Sequence, residues 1–128
     1  MATINTTSLG WTTVCVDSTS EVAFPASGWM SAKDINKYRG SFEARAFSGL
    51  MNVALGYQTA NVENSPDAHN TVTSFQTTAA MVYGSAFTDI SANTLGKQLV
   101  RAVWVCKLTS GSTLATVRVA GSVDWMSP

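Results

Sequence analysis

The last quarter of the chain constrains the fold more than any other stretch. Two long segments, Leu99–Leu108 (LVRAVWVCKL) and Thr113–Trp125 (TLATVRVAGSVDW), alternate between apolar and less apolar residues. That is the period-2 signature of strands with one buried face. Thr109-Ser110-Gly111-Ser112 joins them. With Ser110-Gly111 as a two-residue turn, the spacing predicts a hairpin. In it Leu108 faces Thr113, Cys106 faces Ala115, Trp104 faces Val117, Ala102 faces Val119 and Val100 faces Gly121. One face is then almost wholly apolar, and the other carries Arg101, Val103, Val105 and Lys107 against Leu114, Thr116, Arg118 and Ala120. A slip of one residue would mix the two sets, so the pattern specifies the register. The chain reads as all-β, with an antiparallel sheet buried on one side.

The rest of the chain continues that pattern. Residues 1–10 are polar and threonine-rich and read as an extended N-terminal arm, leaving 11–128 as a single β-sandwich domain. Trp11–Val16 alternates as a first strand. Gly40–Ser48 places Phe42, Ala44 and Ala46 on one face and Glu43, Arg45 and Phe47 on the other. Ser48-Gly49 and the alternating Leu50–Thr59 then predict a second hairpin. Asn61–Asn70 and Ser85–Gly96 read as loops, with Thr71–Thr77 and Ala79–Gly84 as strands between them. Seven or eight short strands with this turn spacing suit a sandwich of jelly-roll type.

Composition narrows the function classes. Charged residues make up 12% of the 128 positions, about half the ~25% usual in globular domains. Serine and threonine fill much of that space, which suits strands and a surface partly covered by other subunits. Eight basic and eight acidic residues balance, so no basic excess supports nucleic-acid binding. No apolar run approaches the ~18 residues of a membrane span, and no secretory leader is visible. The chain is expected to be made and kept in a cytoplasm, or to leave it inside an assembly or by cell lysis. Cys15 and Cys106 both sit in apolar strand contexts and read as small buried hydrophobes rather than a disulfide.

Chemistry finds few footholds. His69 is the one histidine, in a polar loop, and reads as a solvated residue; no Gly-x-Ser-x-Gly elbow accompanies it. One histidine and two distant cysteines have no metal-ligand spacing. Glu63, Asp67 and Asp89 could at most contribute to a loop calcium site. Gly96-Lys97-Gln98 lacks the elements of a phosphate-binding loop. No cofactor is expected. Of the tryptophans, Trp104 reads as core; Trp125 shares its parity, and Trp11, Trp29 and Trp125 read as core or interface rather than sugar platforms. The half-apolar face bearing Arg101, Val103, Val105, Lys107 and Arg118 is the candidate partner or oligomer interface.

The stretch Phe87–Val123, with its loop ending in Gly96-Lys97, the strand beginning Leu99-Val100-Arg101, the Thr109-Ser110-Gly111 turn and a valine-rich return, resembles the C-terminal half of small jelly-roll decoration (cement) proteins of tailed-bacteriophage virions. The segment Phe42–Tyr57 and the loop after it fit the same layout. The resemblance implies a non-enzymatic virion protein that binds the outside of a major capsid protein shell, as a dimer or trimer, and stabilises it. It further implies synthesis in a host cytoplasm, with the arm Ala2–Leu9 ordering on the shell or a neighbour. The alternative is a carbohydrate- or receptor-binding sandwich of a phage tail, which predicts Trp11, Trp29 and Trp125 exposed in a row.

Overall fold

The computed structural model describes residues 3–33, 35–76, 80–82, 87–90, 96–109 and 113–127. These form strands and turns. The long strands are β1 (Thr3–Val16), β4 (Lys37–Ser48), β5 (Met51–Ala60), β9 (Leu99–Leu108) and β10 (Ala115–Ser127). The short ones are β2 (Val22–Pro25), β3 (Met30–Ser31), β6 (Asn70–Thr71), β7 (Ala80–Val82) and β8 (Thr88–Asp89). One sheet runs β1-β10-β4-β7 with β8 also on β4, and the facing sheet runs β2-β9-β5-β6 with β3 also on β9.

Apart from the two-residue strands β3 and β8, the pairing is nested. β1 pairs with β10, β2 with β9, β4 with β7 and β5 with β6, all antiparallel. This is a jelly roll: a long hairpin folded over on itself so that successive strands change sheet. The all-β sandwich expected from the alternation is therefore what forms.

The two expected hairpins do not form. β9 lies between β2 and β5, whereas β10 lies between β1 and β4 in the facing sheet. β4 and β5 are separated in the same way. The Ser110-Gly111 turn itself lies outside the described residues. Alternation states which side chains point inward, but not which strand lies alongside. A turn within one sheet and a crossing to the facing sheet present the same inward set to the same core. The two crossings pack together. The Thr109 amide donates to the Leu50 carbonyl at 3.1 Å. Gly49 sits at φ 81° where a Cβ would lie 3.0 Å from the Ala115 side chain, so the site requires glycine.

The inward sets are otherwise as the alternation predicts. Val100, Ala102, Trp104, Cys106 and Val117 are all buried in one core with Leu55, Tyr38, Val123 and Trp125. Aromatic contacts bridge the sheets or line the seam between them. Phe42 meets Trp104 edge-on at 5.6 Å, and Tyr38 meets Trp125 at 5.0 Å. The Tyr38 hydroxyl donates across the core to the Gly56 carbonyl at 3.2 Å, and burial pushes its pKa above the ordinary value.

Three other expectations change. Over Thr3–Gly10 the expected arm is the first half of β1, with Thr3–Leu9 paired to Gly121–Ser127. Leu9 is buried, and the Trp125 indole N–H donates to Thr7 Oγ1 at 3.2 Å. Cys106 is buried, and that burial raises its thiol to about 12, but Cys15 is exposed on β1; both thiols are free. Ala46 faces solvent and Phe47 packs against the core, the reverse of the simple alternation. Trp104→Ala should destabilise the fold by roughly 3–5 kcal/mol, the range for buried large-to-alanine changes. Urea denaturation with an unchanged m-value would check it.

Candidate functional site

The five residues expected to share one contact face do not. Because β9 and β10 belong to opposite sheets, Arg101, Val103, Val105 and Lys107 lie on the outer side of the β9 sheet, whereas Arg118 lies on the outer side of the β1 sheet.

The outer side of the β9 sheet is closed by the chain's own loops. Val103, Val105 and Ala54 point away from the core, yet each is fully buried. Glu21 precedes β2 and His69 precedes β6, at opposite edges of β2-β9-β5-β6. His69 Nε2–H donates to Glu21 Oε1 at 3.0 Å, so the link passes over β9 and β5. The outward side of Gly56 meets the Asn70 carbonyl oxygen, with Val105 beside it, and any larger residue would lift this cover. The charged residues are also occupied. Arg101 donates from Nε and Nη2 to Gln58 Oε1 at 3.1 and 2.9 Å, and its guanidinium stacks 4.2 Å over Trp29. Lys107 Nζ sits 4.6 Å from the Phe75 ring. Thr59 Oγ1 and Lys97 Nζ donate to Asp67.

These contacts set the titration behaviour. The hydrogen bond from His69 holds Glu21 below its ordinary carboxylate value, against a smaller desolvation effect. Bonds from Thr59, then Lys97, lower Asp67 likewise. His69 is therefore no free loop residue: it is half-buried and engaged. A dip of about 320 Å³ lined by Asp67, Ala68, His69, Asn70 and Lys97 opens beside this clasp. Lys97 and Asp67 of its lining pair with each other and His69 pairs with Glu21, and no grouping of three or more His, Cys, Asp or Glu suited to a metal ion exists among the described residues.

The outer side of the β1 sheet is exposed around Arg118 and Arg45, while towards the other end the Phe87 ring centre lies 4.4 Å from the Arg39 guanidinium. At one end Arg39 donates to Asp124 Oδ2 from Nε at 2.9 Å and Nη2 at 2.7 Å, and Thr6 donates to Oδ1 at 2.7 Å. Burial opposes ionisation of Asp124, but these bonds outweigh it and hold the carboxyl low. At the other end two irregularities flank β10. The β1 register shifts between Leu9 and Thr12, and the β4 register shifts between Arg45 and Ser48 opposite Arg118 and Thr116. Ala46, at φ 55°, forms the second bulge. Bulges re-aim side chains, and here they bring Trp11 and Arg45 over Arg118. The guanidiniums of Arg118 and Arg45 lie 5.5 and 5.6 Å from the Trp11 ring centre. Trp11, Arg45, Ala46 and Arg118 line a dip of about 300 Å³.

The sequence pointed to Arg118 as a contact residue and to Trp11 as core or interface, but did not single out Arg45 or Ala46. A signal for β1 was present. Leu9 is out of phase with Val14 and Val16, and such a phase change inside a strand marks a bulge. Trp125 is core and Trp29 is stacked under Arg101, so no exposed tryptophan row exists.

No family model and no curated protein matches the sequence. Solved structures do share the fold. A chain from the structure of infectious bursal disease virus, Gt strain, aligns with a TM-score of 0.69 at 8% identity, over 98% of this chain and 33% of that one. The Gx strain gives 0.64 at 9% identity, over 98% and 32%. The protein thus spans about a third of the length of those chains, and the likeness is one of fold.

Arg101→Ala should cost about 1–2 kcal/mol of stability, since it strands Gln58 and Trp29, whereas Arg118→Ala should stay within about 0.5 kcal/mol. Paired urea melts test the contrast. Because the folded-state pKa of Glu21 is lowered, its contribution is complete above the ordinary value of 4.5 and is lost as the pH falls below it. Glu21→Gln should therefore flatten the drop in melting temperature below about pH 4.5 and lower the melting temperature at neutral pH.

Proposed function

We propose that this chain is a non-enzymatic structural protein of a virion, a jelly-roll module that binds the outer face of a tailed-phage head as a decoration or cement protein. The observation that carries this reading is the nested jelly roll itself, which follows a segment of a virus structure over nearly the whole chain. Fold alone does not specify activity, so the surface must supply the rest. The β9 sheet is sealed by its own loops, and the β1 sheet presents an open, weakly charged face rich in hydroxyls. Trp11 and Arg118 on that face are of the residue types that dominate interface energetics. This is the face we assign to the major capsid protein shell, with two or three copies of the chain acting together and neither nucleic acid nor membrane involved.

Immunogold labelling of purified particles with antibody to this chain is expected to decorate intact heads. A Trp11→Ala, Arg118→Ala double variant should keep its melting temperature and fail to co-sediment with heads stripped of the wild-type chain. Absence of the chain from purified particles would overturn the reading.

A further inference from the structure

We infer that the dip formed by Trp11, Arg45, Ala46 and Arg118 is a binding site for the carboxylate of an acidic sugar. The inference concerns the chain off the particle: the shell contact proposed above would cover the same Trp11 and Arg118, so the two occupants exclude each other, and the titration below reads the free chain.

The first observation is electrostatic. Arg118 and Arg45 are direct cross-strand partners on β10 and β4. Like charges placed opposite each other on a sheet face destabilise the pair. Glu43 offsets part of this through its contact with Arg45. Arg118 has no carboxylate partner among the described residues. The sheet therefore carries one cationic charge more than its own acids neutralise, at a place where two guanidiniums converge. A carboxylate seated between them would accept charge-assisted, forked hydrogen bonds and relieve the repulsion.

The second observation is shape. The bulge at Gly10-Trp11 and the bulge at Ala46 lie on opposite sides of β10 and enclose a dip of about 300 Å³. Ala46 adopts a left-handed φ of 55°, a conformation that is strained for alanine and recurs where ligands are held. The dip is at the small end of ligand pockets, sized for a single ring rather than a length of peptide.

The third observation is the lining. Trp11 is 46% exposed, so part of its indole stays open to the C–H face of a pyranose beside the two guanidiniums. The surrounding outer face carries Thr13 and Ser8 on β1, Thr116 and Ser122 on β10 and Ser41 on β4. These hydroxyls suit a ligand that is itself rich in hydroxyls. A cationic fork, one aromatic plate and a hydroxyl surround describe the recognition of a uronic acid better than that of an acidic peptide.

The test is a titration of the ¹⁵N-labelled full chain at constant ionic strength, following the Trp11 indole N–H, which Trp11→Phe assigns. D-glucuronate is the probe, with D-glucose and triglutamate in parallel. Glucuronate should shift the Trp11 signal saturably and glucose should not, while the signals of buried Trp104 and Trp125 stay fixed and report an intact fold. Arg118→Ala should weaken glucuronate binding at least about tenfold, and Arg118→Lys, which keeps the charge and loses the fork, should fall between. An unmoved Trp11 signal, an equal response to glucose, an unaltered affinity in Arg118→Ala, or tighter binding of triglutamate than of glucuronate would each overturn the inference.

Discussion

β5 and β9 lie side by side inside one sheet, paired without interruption from Met51↔Leu108 to Ala60↔Leu99, and the pair is buried on both faces. Antiparallel sheets commonly leave one face to solvent. Here the inward face meets the Phe42, Tyr38 and Trp125 seam of the opposite sheet, and the outward face is closed by the Glu21–His69 link and by Arg101 between Gln58 and Trp29. The outward valines need that cover because exposed apolar surface of this size invites association. The cost of enclosing charged groups is met by giving each a partner. A face that looks like an interface in the sequence is thus the protein's second, smaller interior.

The nested pairing places the first and last strands side by side. Thr6 and Asp124, 118 positions apart, share a hydrogen bond on adjacent strands, and every other major pairing lies inside that outermost one. Such non-local topologies fold slowly, because loop-closure entropy precedes the contacts that offset it. They also leave β1 as the strand at the sheet margin. Its bulge at Gly10-Trp11 breaks the regular edge, a usual protection against edge-to-edge association, and the same bulge swings Trp11 over the arginines. One local irregularity serves both purposes.

The two outer faces therefore divide the charged residues by role. On the β9 sheet, charges are spent internally as fasteners. On the β1 sheet, Arg39 is matched by Asp124 and Arg45 by Glu43, while Arg118 has no carboxylate partner among the described residues and lies beside an aromatic ring. A chain with so few charges makes each unmatched one conspicuous, and this one lies where two bulges shape the surface around it.

The sequence by itself determined which residues are inside. The alternation in Leu99–Leu108 and Thr113–Trp125 placed Val100, Ala102, Trp104, Cys106 and Val117 in the core, because side-chain period follows directly from strand geometry. Even the β1 bulge was legible, in the phase change from Leu9 to Val14. Only the tertiary structure decided which strands are neighbours, since a hairpin and a crossing between sheets bury the same side chains. That choice separated Arg118 from Arg101, covered the outward Val103 and Val105 with loops that have no periodic signal of their own, converted the polar N-terminal segment into a paired strand, and set Arg118 beside Arg45 and Trp11. Local periodicity carries orientation; partnership is a property of the whole chain's topology.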